Sequence, residues 1–242
     1  MDSAELVEKL VSWIKEKVSA GGCRGTLLGM SGGIDSALVA VLCQRAFPRN
    51  VLGVLIPCHS DPQDMEHALL VAKQFAIPTR TVVLDNIYDT LLQILPEVSG
   101  DTAVSRLARA NLKVRLRMVT LYYLANQLKY MVVGSSNRSE LAIGYFTKYG
   151  DGGVDLMPLG NLLKWQVREL SSFLGIPKEI VDKPPTAGLW PGQTDEGDFG
   201  FSYDDLDRYL TTGQAASAVR TRIESMIAAS GHKRQLASLP SF

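Results

Sequence analysis

The sequence is poor in the features that mark several classes of protein. Of its 242 residues only three are cysteines, Cys23, Cys43 and Cys58, and they form no C-x-x-C pair, so neither a zinc site nor a disulfide framework is expected. Apolar runs stay well short of the ~20 residues that cross a bilayer, and the N-terminus lacks the basic start and apolar core of a signal peptide. We therefore expect a cytoplasmic protein, in a reducing compartment where unpaired thiols persist.

Charge of either sign is not in excess. Lysine plus arginine and aspartate plus glutamate number 25 each, so no net field draws the chain to nucleic acid or to an anionic membrane, and neither is expected as a partner. The hydrophobic fraction of 46% is that of an ordinary globular protein and argues against disorder. Any anionic ligand must then be bound by a few local groups.

Short apolar segments alternate with amphipathic helical patterns, which is typical of a parallel α/β sheet because each parallel connection has to cross over. The predicted strands cover residues 26–30, 51–56, 79–84 and 130–134. The predicted helices cover residues 3–19, 34–45, 62–75, 85–95, 101–128, 161–174, 203–210 and 215–229. Residues 183–202, rich in proline and glycine, are predicted to form a mobile loop that closes over the reacting groups. Since no repeat or linker occurs, residues 1–242 are treated as one domain.

Residues 31–36, Ser-Gly-Gly-Ile-Asp-Ser, lie where the first predicted strand gives way to a helix. Consecutive glycines let the backbone approach an anion, the helix N-terminus carries a partial positive charge, and the serines supply hydroxyl donors. The pattern predicts a phosphate-binding loop. A glycine turn with a serine N-cap is the simpler alternative, but capping needs one polar residue and this loop has three.

Asp35 is the informative residue of this loop. Its carboxylate would repel phosphate oxygens unless a cation lay between them, so we infer a magnesium ion shared by Asp35 and the phosphates. The G-x-x-x-x-G-K-[ST] and G-x-G-x-x-G patterns do not occur in the sequence. Transfer of a terminal phosphoryl group by a Walker-type loop and dinucleotide binding by a Rossmann fingerprint are therefore both disfavoured.

The 31–36 loop resembles the S-G-G-x-D-S loop of the ATP pyrophosphatase (PP-loop) superfamily, whose members cleave ATP between the α and β phosphates and adenylate a substrate. Two longer segments, E-L-A-I-G-Y-F-T-K-Y-G-D-G-G-V-D-L-M-P-L at 140–159 and N-L-K-V-R-L-R-M at 111–118, resemble the ammonia-dependent NAD synthetases. Shorter matches lie at 185–187, 193–197 and 232–233. The resemblance spans most of the chain.

This resemblance implies a fold and a reaction. The fold would be a doubly wound, mostly parallel five-stranded sheet with helices on both faces, of the adenine nucleotide alpha hydrolase type, with one strand more than the sequence pattern shows. The reaction would be the last step of NAD biosynthesis, carried out by a carbon–nitrogen ligase. Deamido-NAD, ATP and ammonia would give NAD, AMP and pyrophosphate through an adenylated carboxylate. A homodimer is also implied, with 101–128 and the C-terminal helices as candidates for the contact.

Roles for individual residues follow from the same resemblance. The implied ATP-binding residues are Gly29, Met30, Ser31, Gly32, Gly33, Ile34, Asp35, Ser36, Ser135, Lys164 and Thr186, with Ser135 standing where relatives often have threonine. The implied deamido-NAD-binding residues are Arg115, Lys148, Asp155, His232 and Lys233. Magnesium would be bound by Asp35 and Glu140. The implied catalytic residues are Asp151, which would hold ammonium and accept a proton, and Lys164, which would neutralise the departing pyrophosphate.

Three alternatives remain open at this point. One is another enzyme of the superfamily, such as one that amidates purines or modifies tRNA. The second is a non-catalytic ATP-binding module, although such a module would have no use for two magnesium carboxylates. The third concerns the nitrogen source: glutamine-using relatives carry a large N-terminal amidase domain, and only about 25 residues precede the first predicted strand. Free ammonia is therefore expected, with delivery by a separate amidase subunit as the alternative.

Overall fold

A parallel β-sheet lies at the centre of the computed structural model, which describes residues 2–98, 100 and 102–240. The strands are β1 (Gly25–Gly29), β2 (Val51–Leu55), β3 (Thr79–Thr81) and β4 (Tyr130–Val132). They are arranged in the order β3-β2-β1-β4, and each neighbouring pair is parallel. The strand order therefore reverses between β1 and β4, the place where open α/β sheets bind ligands.

The described helices connect the strands and then form a C-terminal group. They are α1 (Ser3–Ala20), α2 (Ile34–Ala46), α3 (Pro62–Gln74), α4 (Asp85–Ile94), α5 (Thr102–Leu128), α6 (Arg138–Ile143), α7 (Lys164–Phe173), α8 (Lys178–Val181), α9 (Asp195–Phe199), α10 (Tyr203–Thr212) and α11 (Ser217–Ala229), followed by a 3₁₀ turn at Gly231–Arg234. Asp101, the predicted first residue of the long helix, lies outside the described residues. In the described part of the chain, none of the helices combines the length and the apolar character that crossing a bilayer requires.

The helices cover both faces of the sheet, as the alternation of side chains along a strand demands. Leu28 belongs to the core cluster that includes α1, α2, α3 and α7, whereas the neighbouring Leu27 belongs to the cluster formed with α4 and α5. Ten of the thirteen residues of α2 are buried, so this helix is covered on all sides rather than along one stripe. The predicted parallel α/β sheet with helices on both faces is confirmed.

The predicted fifth strand is wrong for the described residues, in which the sheet has four strands. At the edge beyond β4 the chain makes one isolated parallel bridge, between Val133 and Leu156. Two features stop the ladder there. The side chain of Asp155 accepts the main-chain N–H of Val132 (2.8 Å) in place of a neighbouring carbonyl, and Pro158 has no N–H to donate.

The C-terminal part of the chain forms a third apolar cluster. Phe199, Tyr203 and Leu206 pack with Ile143 of α6 and Ile223 of α11. The segment 183–202, predicted as a loop throughout, contains the short helix α9 within this cluster. The residues from 195 onward are thereby docked against α6 and α7, next to the carboxyl ends of β1 and β4.

Candidate active site

A cavity of about 540 Å³ opens at the carboxyl ends of β1 and β2, in the size range of sites that hold small molecules. Its walls come from the 31–36 loop, from α5 and from residues 183–190. Most of the predicted ATP-binding residues line it: Gly29, Met30, Ser31, Gly33, Ile34, Asp35, Ser36, Ser135, Lys164 and Thr186. Glu140, Asp151 and Lys233 line the same cavity.

The 31–36 loop is held in a tight turn before α2. Gly32, the one loop residue outside the cavity lining, has a positive φ of +77°, and a Cβ atom there would lie 2.1 Å from the carbonyl oxygen of Asp64. The Ser31 and Ser36 hydroxyls are 3.1 Å apart, and Ser36 also donates to the Gly33 carbonyl (2.9 Å). The N-cap of α2 is Gly33, which has no side chain to cap with, so the helix start remains suited to an anion.

Lys164 lies between two carboxylates from different elements. Its Nζ is 2.5 Å from Oδ2 of Asp35, in the first turn of α2, and 3.3 Å from Oε1 of Glu140, in the first turn of α6. The lysine side chain is only 2% exposed. Its main-chain N–H, at the start of α7, donates to the hydroxyl of Ser139 (3.1 Å). Three separate helices thus bring one ammonium and two carboxylates together beside the phosphate loop.

Asn137 forms a second connection between the same two carboxylates. As the N-cap of α6, it accepts the main-chain N–H of Glu140 with its side-chain oxygen (3.0 Å), and Oε2 of Glu140 accepts the Asn137 N–H (3.2 Å). The side-chain Nδ2 of Asn137 donates to Oδ1 of Asp35 (2.8 Å). Asn137 was not among the predicted site residues, although the N-x-x-E spacing of a capping box was a sequence signal for it.

Three carboxyl groups, those of Asp35, Glu140 and Asp195, surround the single ammonium of Lys164. Burial, followed by the charge of Asp35, raises the pKa of Glu140 to about 8, and burial also raises the pKa of Asp195. Burial alone would lower the pKa of Lys164, but the carboxylates of Asp35 and Glu140 raise it above its usual value. Tyr203, whose hydroxyl donates to Asp195 (2.8 Å), places its ring 4.9 Å from the ammonium.

This surplus of carboxylate oxygen fits a magnesium ion. Magnesium in nucleotide sites takes one or two protein carboxylates and completes its coordination with phosphate oxygens and water. Among the described residues, no group of three or more His, Cys, Asp or Glu side chains is placed to hold a metal. Asp35 and Glu140 would therefore contribute two carboxylates, and a bound nucleotide would contribute the rest.

Asp151 also lines the cavity, where its carboxylate accepts the main-chain N–H of Thr147 (2.8 Å). The residue is exposed to the solvent of the cavity. The protein atoms around its carboxylate nevertheless desolvate it and raise its pKa. Hydrogen bonds from main-chain N–H groups and the positive charges of Lys233 and Arg117 lower the pKa and offset part of this effect. A carboxylate with a raised pKa is better suited to accept a proton. Lys233 donates to the Phe146 carbonyl (2.9 Å).

The other predicted deamido-NAD residues lie outside the cavity lining. Arg115 donates to the main-chain oxygen of Lys148 (3.3 Å), and Lys148 Nζ donates to the carbonyl of His232 (2.6 Å), so these three residues form one chain of hydrogen bonds. Asp155 is placed apart from them, where it accepts from the Tyr122 hydroxyl (2.9 Å) and supports β4. Of the five predicted deamido-NAD-binding residues, the structure therefore brings four together, because Lys233 is the neighbour of His232 in the chain. Asp155 lies apart from them.

Cationic contacts hold residues 183–190 over the cavity. Lys183 forms a half-buried ion pair with Asp64 of α3 (2.5 Å). From α5, Lys113 donates to the Leu189 carbonyl (3.3 Å) and the Arg106 guanidinium lies 5.3 Å from the centre of the Trp190 ring. These contacts were not predicted, because they join residues far apart in the sequence.

Comparison with known proteins places these observations in a family context. The family model described as NAD synthase matches residues 6–237. An NH(3)-dependent NAD(+) synthetase of Carboxydothermus hydrogenoformans is 47% identical over 98% of this chain and 97% of the relative. Among solved structures, an NMN synthetase from Francisella tularensis superposes with a TM-score of 0.93 at 36% identity, covering both chains completely. An NH3-dependent NAD synthetase from Campylobacter jejuni, 27% identical, also covers both chains completely, with a TM-score of 0.83.

Proposed function

Because the chain belongs to the NAD synthase family, we propose that it is an ammonia-dependent ligase that converts deamido-NAD and ATP to NAD, AMP and pyrophosphate. The observation that carries the proposal is the position of the Lys164 ammonium between Asp35 and Glu140, directly beside an open phosphate loop. Charge placed there serves a reaction in which negative charge builds up on a departing pyrophosphate. The whole chain acts as one ATP pyrophosphatase domain.

The phosphate loop binds ATP. N–H groups at the start of α2 and the hydroxyls of Ser31 and Ser36 contact phosphate oxygens, and Ser135 and Thr186 bind from the other walls of the cavity. Asp35 and Glu140 hold Mg²⁺. The ion, when bound, neutralises phosphate charge and polarises the phosphoryl oxygens.

The chemistry takes place in two displacements. An oxygen of the nicotinate carboxylate attacks the α phosphorus of ATP, the bond from that phosphorus to the bridging oxygen breaks, and pyrophosphate leaves with its charge stabilised by Lys164. Ammonia then attacks the carbonyl carbon of the resulting acyl adenylate and AMP leaves. Asp151 binds ammonium and accepts the proton whose loss gives the attacking ammonia, a role that its raised pKa supports. The second proton, which the nitrogen loses as the amide forms, passes to solvent.

The dinucleotide is bound by cations at the edge of the cavity. Arg115, Lys148 and Lys233 supply positive charge for the nicotinate carboxylate and for the dinucleotide pyrophosphate, and His232 supplies a further hydrogen-bonding group. Asp155 binds a ribose hydroxyl. Its two oxygens already accept one hydrogen bond each, but a carboxylate oxygen has a further lone pair.

A homodimer completes the site. On α5, Arg115, Val119 and Tyr123 follow each other at intervals of four and therefore share one face of the helix. Val119 is 68% and Tyr123 64% exposed, a large apolar surface beside a proposed substrate residue. This face supports the predicted contact through α5.

All three cysteines are free thiols, which supports a location in the reducing cytoplasm.

A second candidate substrate is favoured by one observation. The likeness to the NMN synthetase exceeds the likeness to the Campylobacter enzyme, both in identity and in TM-score. An enzyme that forms NMN amidates nicotinate mononucleotide, which lacks the AMP half of deamido-NAD. Deamido-NAD remains the first choice, because the relatives at 41–47% identity are named as NAD(+) synthetases.

The test is a product assay with both acids. Purified protein is given ATP, an ammonium salt and Mg²⁺ with either deamido-NAD or nicotinate mononucleotide, and NAD, NMN, AMP and pyrophosphate are separated by chromatography. We expect NAD, AMP and pyrophosphate in equal amounts, with a higher kcat/KM for deamido-NAD. NMN formed with the higher kcat/KM would establish the second candidate, and release of pyrophosphate with neither amide would refute both.

A further inference from the structure

Asn137 and Lys164 together contact all four carboxylate oxygens of Asp35 and Glu140, and the Tyr203 hydroxyl also donates to Oε1 of Glu140 (3.3 Å). The Asn137 side-chain amide donates to Oδ1 of Asp35 (2.8 Å), and the Asn137 main-chain N–H donates to Oε2 of Glu140 (3.2 Å). The Lys164 ammonium contacts the two remaining oxygens, Oδ2 of Asp35 and Oε1 of Glu140. Each carboxylate therefore has one oxygen bound by a neutral amide and one bound by a cation.

The orientation of the Asn137 amide is determined by its neighbours. Its Oδ1 faces the main-chain N–H of Glu140 (3.0 Å), a group that can only donate, so Nδ2 faces Asp35. An ionised carboxylate can only accept, and the amide meets that requirement. Asn137 is fully buried, so water does not compete for these hydrogen bonds.

We propose that Asn137 is a positioning residue that presents Oδ2 of Asp35 and Oε1 of Glu140 as a pair, and that the Lys164 ammonium occupies the cation position between them until the divalent ion enters. The inference rests on the proposed function, because it assigns this pair of oxygens to Mg²⁺. Entry of the metal and release of Lys164 are then a single exchange.

The surroundings of Lys164 support an exchange rather than simultaneous binding. An ammonium and a divalent cation repel each other strongly at contact distance in a poorly hydrated site. Lys164 is buried, so an ammonium that loses its carboxylates needs a new anionic partner, and nucleotide phosphates on the adjacent loop provide one. Metal should therefore bind weakly to the ligand-free protein and well in the presence of nucleotide.

The test uses Mn²⁺ as a probe, with free Mn²⁺ measured by electron paramagnetic resonance in the absence of any substrate. Lys164→Met removes the competing ammonium, and we expect Mn²⁺ to bind about tenfold more tightly or better than to the wild type, as removal of a unit charge within ~4 Å implies. Lys164→Gln, also uncharged, should give the same gain and serves if the methionine variant does not fold.

Asn137→Ser isolates the contribution of the amide. Serine caps a helix about as well as asparagine, so α6 keeps its N-cap, but the shorter side chain cannot reach Asp35. Added to Lys164→Met, it should abolish the gain in Mn²⁺ affinity. Alone, it should raise the Mg²⁺ concentration that gives half-maximal activity by a larger factor than it lowers kcat at saturating Mg²⁺, a split that a general loss of folding would not produce.

Exposed residues of the same types provide matched controls. Lys178→Met, whose side chain is 90% exposed, and Asn126→Ser on the surface of α5 should leave Mn²⁺ binding unchanged. Unchanged Mn²⁺ affinity in both Lys164 variants would overturn the exchange, and an undiminished gain in the double variant would overturn the role of Asn137. Since no substrate is present, these outcomes are distinct from a failure to form NAD, which would refute the proposed function instead.

Discussion

The hydroxyl of Ser139 donates a hydrogen bond to the buried carboxylate of Asp207, a residue 68 positions further along the chain. The same hydroxyl accepts the main-chain N–H of Lys164, and the other oxygen of Asp207 accepts the N–H of Trp165 (3.1 Å). The N-cap residue of α7 is Leu163, which has no polar side chain to accept the first main-chain N–H groups of the helix. Asp207 of α10 accepts one of them in its place. The position of Lys164 depends on a helix from the C-terminal group.

Replacing Asp207 should weaken both stability and catalysis. Asp207→Ala leaves buried donors without partners, at about 1–3 kcal/mol each, and lets the first turn of α7 shift. We expect the free energy of unfolding in urea to fall by about 2–4 kcal/mol and kcat to fall, with KM for deamido-NAD less affected. Asp204→Ala, at an exposed position of the same helix, is the control and should change neither quantity.

Gly32→Ala should inactivate the phosphate loop. The new Cβ would lie 2.1 Å from the Asp64 carbonyl oxygen, a backbone atom that cannot rotate away, so the loop has to move. We expect kcat/KM for ATP to fall about 100-fold or more, as displacement of positioning groups does elsewhere. Gly22→Ala has a similar φ of +67° but open space around its Cβ. It should cost about 1–2 kcal/mol of stability and leave activity intact.

Lys183→Met should loosen residues 183–190. The ion pair with Asp64 is partly exposed, at 21% for each side chain, so its contribution is no more than about 1 kcal/mol. We expect KM for ATP to rise up to about fivefold and limited proteolysis within 183–190 to become faster. Asp64→Asn should have the same effects, and the double variant should be no worse than either single one. Strictly additive effects would show that the two residues act independently.

Stability should depend on pH through Glu140. The folded protein raises its pKa from 4.5 to about 8, so between those values the folded state binds more protons than the unfolded chain. The free energy of unfolding must then fall as pH rises through this window, by at most about 1.4 kcal/mol per pH unit for one group. Urea unfolding at a series of pH values should show a shallower fall for Glu140→Gln. Exposed Glu8→Gln should keep the wild-type slope.

Charge on the exposed face of α5 should prevent association. Val119→Lys and Tyr123→Lys together place two ammonium groups on each copy of the proposed contact, where like charges would meet across a symmetric interface. Light scattering should report a dimer for the wild type and a monomer for the double variant, with a higher KM for deamido-NAD. Leu69→Lys, on the exposed side of α3, is the control. A wild-type monomer with full activity would rule out the dimer.

The features that could be predicted from the sequence are those determined by residues adjacent to one another in the chain. The alternation of apolar segments with helical patterns is local, so the parallel sheet was predicted correctly, and the motifs at 31–36 and 140–159 led to a family that is confirmed. Strand ends were less predictable. Residues 82–84 and 133–134 have the apolar character of strands, but β3 ends at Thr81 and β4 at Val132, although Val82 still donates to the Leu55 carbonyl and Val133 to the Leu27 carbonyl.

The parts of the site that escaped prediction depend on contacts between distant segments. In the sequence Tyr203 looks like an ordinary core aromatic residue. Its hydroxyl reaches the carboxylates of Asp195 and Glu140 only because α10 packs beside them in the fold. The Lys183 pair with Asp64 joins positions 119 residues apart. The roles proposed for Arg115, Lys148, Asp155 and His232 stay predictions.

The docking of the C-terminal helices has a consequence for the synthesis of the protein. A nascent chain that has emerged only as far as α8 already contains every strand of the sheet and the whole phosphate loop. It still lacks Asp195, Tyr203 and Asp207, whose hydrogen bonds surround Lys164 and Glu140. Since chains fold from the N-terminus as the ribosome releases them, the sheet should form first. Catalytic competence should arise only when translation is nearly finished.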